Sequence, residues 1–77
     1  KAIMKKYSVK IANHHTSISL EEEFWVLLKK IAKAKGLSLN AIITEIDQQR
    51  KRDNLSSAIR VYILNYILND GPSEVNP

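Results

Sequence analysis

The sequence has no cysteine, only two histidines, and no apolar run near the ~18 residues that a membrane span requires. The missing cysteine excludes disulfides and thiolate metal sites, and it agrees with a reducing, cytoplasmic compartment. His14 and His15 are adjacent. On a strand they would point to opposite faces, and two histidines cannot close a structural zinc site without carboxylate help. No metal and no other cofactor is expected. Also missing are a glycine-rich phosphate loop, an HExxH helix, a pair of carboxylates for acid–base work and a cysteine nucleophile. A chain of 77 residues offers little concave volume for a substrate, so an enzyme is not expected. Nothing resembles a signal peptide, and no membrane partner is expected.

So short a chain forms one domain and buries a modest share of its unfolded surface. Small domains escape that limit with disulfides, metals or a partner subunit, and oligomerisation is the route left here. Lysine and arginine number 12 against 8 acids, a formal charge of +4 with a pI near 9.5. Their distribution says more than the total. Lys1, Lys5, Lys6 and Lys10 open the chain with no acid among them; Glu21, Glu22 and Glu23 follow, then Lys29, Lys30, Lys33 and Lys35. The opening stretch, residues 1–13, is expected to be a basic, partly flexible arm suited to phosphate contact. Residues 14–69 form the domain, and 70–77 are expected to be a disordered tail.

From His14 to Leu20 the residues alternate. A period of two puts Thr16, Ile18 and Leu20 on one face and His15, Ser17 and Ser19 on the other. This reads as the chain's single convincing strand, whose unmade ladder bonds call for the same strand of a second copy. Tyr7 to Ile11 alternates too, and would extend or flank that ribbon.

Ser19 and Glu22 have capping-box spacing, which starts a first helix over about 21–35. Its apolar stripe is Phe24, Leu27, Leu28 and Ile31, and Gly36 ends it in the left-handed conformation. Ser38 caps a second helix over about 39–50, with Leu39, Ile42, Ile43 and Ile46 as its stripe. Asp53 or Asn54 caps a third over about 55–69, which Gly71-Pro72 stops. That third helix is apolar on more than one side, so it should bury against its own subunit and another, and it allows a tetramer. Trp25 reads as packing at a subunit interface, Arg60 as a structural ion pair, and Tyr62 and Tyr66 as core with wet hydroxyls.

This order of elements resembles the ribbon-helix-helix superfamily of DNA-binding proteins. Three stretches carry the resemblance: Thr16-Ser-Ile-Ser-Leu-Glu-Glu-Glu-Phe-Trp25, Gly36-Leu-Ser-Leu-Asn40, and Asn54-Leu-Ser-Ser-Ala-Ile-Arg60. The last is similar to a bacterial branch with an added third helix. The resemblance implies a mainly α fold in which two chains pair their strands antiparallel and insert the ribbon into the major groove. It implies base-facing positions at His15, Ser17 and Ser19. Phosphate contacts would come from Ser38, Leu39 and Asn40 at the second helix start, where free N–H groups suit an anion, and from Lys5, Lys6 and Lys10. The dimer core would comprise Thr16, Ile18, Leu20, Phe24, Leu28, Ile31, Ile42, Ile43 and Ile46. Relatives often carry arginine, lysine or an amide on the ribbon, whereas two of these three positions are serine, which discriminates bases less well. Specificity then leans on His15, on the lysines and on DNA shape.

The expectation is therefore a homodimeric, nucleoid-bound transcription repressor whose partner is double-stranded DNA. The competing expectation is a protein-interaction module, such as an antitoxin-like partner binder, motivated by the surplus apolar surface of the third helix.

Overall fold

The computed structural model describes residues 3–50 and 54–70. Strand β1 (Met4–Ile11) and strand β2 (His14–Glu21) precede three helices: α1 (Glu22–Ala34), α2 (Leu39–Gln49) and α3 (Leu55–Asp70). The mainly α class and the three helices agree with the sequence to within a residue or two at each end. The strand content does not. Residues 4–11, expected within a flexible arm, form a full strand, and β2 finds its antiparallel mate in its own chain. The expectation of a lone strand that needs a second copy to complete its ladder is corrected accordingly.

The connection explains how. Ile11 pairs with His14, leaving a two-residue loop of Ala12 and Asn13 with φ of 50° and 70°. Positive φ at both central residues is the type I′ requirement, and that turn's twist matches the twist of the strands it joins. Asparagine tolerates this region, whereas alanine enters it at a cost.

The ladder runs on past the strand ends. The N–H of Glu22 donates to the Ile3 carbonyl at 3.2 Å, which satisfies one of the orphan donors at the start of α1. The N-cap residue is Glu21, with no side-chain cap bond, so the expected Ser19–Glu22 box does not form. Because the strand continues through Glu21, the helix begins too late for Ser19 to cap it.

The later boundaries match their signals. At the end of α1, Leu37 N–H donates to Ala32 O at 2.9 Å and Gly36 N–H to Lys33 O at 3.1 Å, a Schellman closure, with Gly36 at φ 71°. Ser38 Oγ accepts from the Ala41 N–H at 3.0 Å, and Asn54 Oδ1 accepts from the Ser57 N–H at 2.8 Å. The stop signal Gly71-Pro72 and the expected tail beyond Asp70 lie outside the described residues.

The core lies between one face of the hairpin and the three helices. Val9, Ile18 and Leu20 from the sheet meet Leu28, Ile31 and Ala32 of α1, Ile42, Ile43 and Ile46 of α2, and Ala58, Ile59 and Ile63 of α3. Six of these side chains, Leu20, Leu28, Ile42, Ile43, Ile59 and Ile63, are fully buried, each contributing about 2 kcal/mol of apolar transfer. Residues expected to be shared between two chains thus meet within one. Thr16 is the exception and is exposed. The other side of α3 stays apolar and open: Val61, Leu64 and Leu68 are 50%, 55% and 66% exposed.

Candidate nucleic-acid interface

Side chains alternate across a strand, so the register sorts the hairpin into two faces. The inward face carries Tyr7, Val9, Ile18 and Leu20. The outward face carries three cross-strand pairs in a row: Lys6 with Ser19, Ser8 with Ser17, and Lys10 with His15. Ser19 is half-buried and the other five are exposed. The sequence-predicted trio His15, Ser17 and Ser19 therefore does share one face, and β1 adds Lys6, Ser8 and Lys10 beside it.

The ladder phase sharpens the geometry. Ile3 and Glu22 form a hydrogen-bonded pair, and such pairs alternate with non-hydrogen-bonded ones. Counting in steps of two makes all three outward pairs non-hydrogen-bonded, the kind in which opposing side chains approach closest. It also turns the backbone groups of these residues away from the partner strand, toward the outer edges of the sheet.

Two of those groups are already engaged. Lys10 N–H donates to Asn40 Oδ1 at the start of α2, at 3.2 Å. Ser56 Oγ donates to the Ser19 carbonyl at 2.6 Å from the first turn of α3. Each outer edge of the ribbon thus carries a side-chain bond from a helix start, which blocks the ladder at that point. The first bond also brings Asn40 beside Lys10. Of the three expected phosphate residues on α2, Ser38 spends its hydroxyl on capping, Leu39 is half-buried against the core, and Asn40 holds the sheet edge.

The outward face is positive. Glu21, across from Met4, is the one acid among its eight residues. Arg60 Nε donates to Glu21 Oε1 at 2.9 Å, and the same guanidinium lies 5.9 Å from the centre of the Phe24 ring. The Arg60 hydrogen bond, then one from the backbone N–H of Glu21 itself, hold its carboxyl below the ordinary glutamate value. That leaves Lys6 and Lys10 as the uncompensated charge of the face. Lys5 sits on the inward-facing register and pairs with Glu22 at 3.5 Å, both side chains half exposed, so the three expected lysines do not form one cluster.

The sequence reading missed Ser8, and it missed the edge roles of Asn40 and Ser56. The alternation of Tyr7 to Ile11 held the signal for Ser8. The Ala12-Asn13 turn hid it, since it lacks the glycine of the commonest hairpin loops.

A family model described as a ribbon-helix-helix domain matches residues 4–67, the hairpin and nearly all of the three helices. Such domains are typically DNA-binding transcription regulators or antitoxins, bind DNA as dimers, and are generally not enzymes. No curated protein and no solved structure matches the chain. No helix among the described residues is long and apolar enough to cross a membrane.

Proposed function

The chain belongs to the ribbon-helix-helix domain family, and from that membership we propose that it is a sequence-specific transcription regulator, a repressor in sign, that acts as a homodimer on operator DNA. The observation that carries this reading is the outward face of the hairpin: Lys6, Ser8, Lys10, His15, Ser17 and Ser19 in register, with the neighbouring Glu21 neutralised by Arg60. Ammonium groups draw the face onto phosphates and supply most of the affinity. Hydroxyls and an imidazole supply what specificity exists. Asn40 stands beside Lys10, so the start of α2 and this lysine share one backbone phosphate. Lys5 is left out of the interface because it faces the other way. Bound in this manner, the protein works in the cytoplasm, on the nucleoid.

The test is a gel shift of a random-sequence duplex at low and moderate salt. The reading expects retardation at low salt and a log–log salt slope of about −0.9 for each phosphate neutralised. No retardation at low salt would rule it out.

A second reading, an antitoxin-like or other protein-partner module, is favoured by Val61, Leu64 and Leu68. Their positions i, i+3 and i+7 make one exposed apolar stripe along α3. The same stripe would serve to join dimers into tetramers. Sedimentation separates the two uses: self-association follows protein concentration alone, whereas a partner module stays small until its partner is added.

A further inference from the structure

In the family, the ribbon that enters the groove is built from one strand of each of two chains. The hairpin of this chain is different in kind. β1 and β2 pair over eight residues each, joined by a two-residue turn, so a single chain already holds a two-stranded antiparallel ribbon with a polar, basic outward face.

Width decides what such a ribbon can do. Neighbouring strands lie about 4.8 Å apart, and the major groove, about 12 Å wide, admits a two-stranded ribbon. If β2 also paired with β2 of a second copy, the sheet would have four strands, roughly 14 Å between its outermost backbones before any side chain is added. That sheet does not fit the groove. The edges point the same way. Asn40 occupies the Lys10 N–H on the outer edge of β1, and Ser56 occupies the Ser19 carbonyl on the outer edge of β2. A third strand on either side would have to break one of these bonds.

We propose that the hairpin of one chain is by itself the groove-reading element, and that Lys6, Ser8 and Lys10 of β1 contact base edges alongside His15 and Ser17 of β2. This rests on the DNA-binding reading above and changes its geometry. Each subunit of a dimer brings its own ribbon to its own stretch of groove. The lysines, long enough to reach guanine O6 and N7, supply the discrimination that serine lacks.

The experiment is selection of bound duplexes from a random pool by the wild-type protein and by Lys6→Ala, Ser8→Ala and Lys10→Ala, with Lys5→Ala as the inward-facing comparison. Circular dichroism on every variant establishes that it folds, as exposed substitutions should allow. The expected result is a relaxed preference at one or two base pairs for Lys6→Ala and Lys10→Ala, with affinity for the best wild-type site down about tenfold to a hundredfold, and a smaller relaxation for Ser8→Ala. Lys5→Ala keeps the wild-type preference. If the β1 variants instead lose affinity equally on every sequence and keep the wild-type preference, β1 touches phosphates only and the proposal falls, while DNA binding stands. If the wild-type protein selects no duplex, DNA binding falls and the proposal falls with it.

Discussion

The Trp25 indole of α1 lies flat on the Tyr7 ring of β1, with ring centres 3.9 Å apart and planes 9° from parallel. This stack fastens the N-terminal strand to the first helix, on the face opposite the lysines. It assigns Trp25 to packing, as the sequence suggested, but within its own subunit.

Tyr7→Ala should therefore loosen β1 while leaving the helices formed. A stacked aromatic pair contributes about 1 kcal/mol beyond its buried area, and the Tyr7 ring is half-buried, so a loss of about 2 kcal/mol is expected. Urea denaturation measures it. Trp25 fluorescence should shift to the red in the native state of the variant. Unchanged emission would mean that the rings do not stack.

Ala12 tests the turn. Holding alanine at φ 50° costs about 1 kcal/mol or slightly more, whereas glycine adopts this conformation without strain. Glycine loses roughly 0.5–1 kcal/mol of backbone entropy in exchange. Ala12→Gly should stabilise the protein by a few tenths of a kcal/mol, read as a raised thermal midpoint. Were residue 12 part of a mobile arm, the midpoint would not move.

Ser8 and Ser17 face each other in a non-hydrogen-bonded pair, a spacing of about 4.5 Å between Cα atoms that a disulfide can span. The chain has no native cysteine to compete. Ser8→Cys with Ser17→Cys should oxidise to a bridge within one chain, running at monomer mass on a non-reducing denaturing gel. A ladder of linked chains would show that the strands pair between molecules.

Glu21 gives the stability a pH dependence. Its carboxyl titrates below the ordinary 4.5 in the folded protein because Arg60 and its own backbone N–H bond the ionised form. A lowered folded value means that the unfolded chain takes up the proton first as pH falls. The stabilisation is thus complete above the unfolded value, and it is lost as pH drops through the folded one. Wild type and Glu21→Gln should differ in stability most above about pH 4.5, and the gap should close in acid. A gap independent of pH would disprove the ion pair's role.

Most of the helical part was legible because each signal is local. Gly36, Ser38 and Asn54 mark boundaries through the backbone atoms within four residues of them, and the stripe of Ile42, Ile43 and Ile46 needs no knowledge of the rest of the chain. The exposed apolar side of α3 was legible too, from the lack of a polar stripe. The hairpin was not, because β1 looks like a basic arm by composition and its Ala12-Asn13 turn lacks glycine. Reading β1 as an arm removed the mate of β2 and made a second chain seem obligatory. The Ser19–Glu22 spacing misled for a related reason: strand pairing with Ile3 carries β2 two residues past the apparent cap. Half of the candidate interface, the three residues from β2, was readable by alternation alone. The other half became visible only once the register was known.

The outward face of the hairpin is the centre of this account, and a titration of the isotope-labelled protein with duplex DNA, followed by backbone amide NMR shifts, tests it most directly. The account predicts the largest shifts at Lys6, Ser8, Lys10, His15, Ser17 and Ser19, with small ones along α3. Shifts concentrated at Val61, Leu64 and Leu68, with the hairpin unmoved, would contradict it.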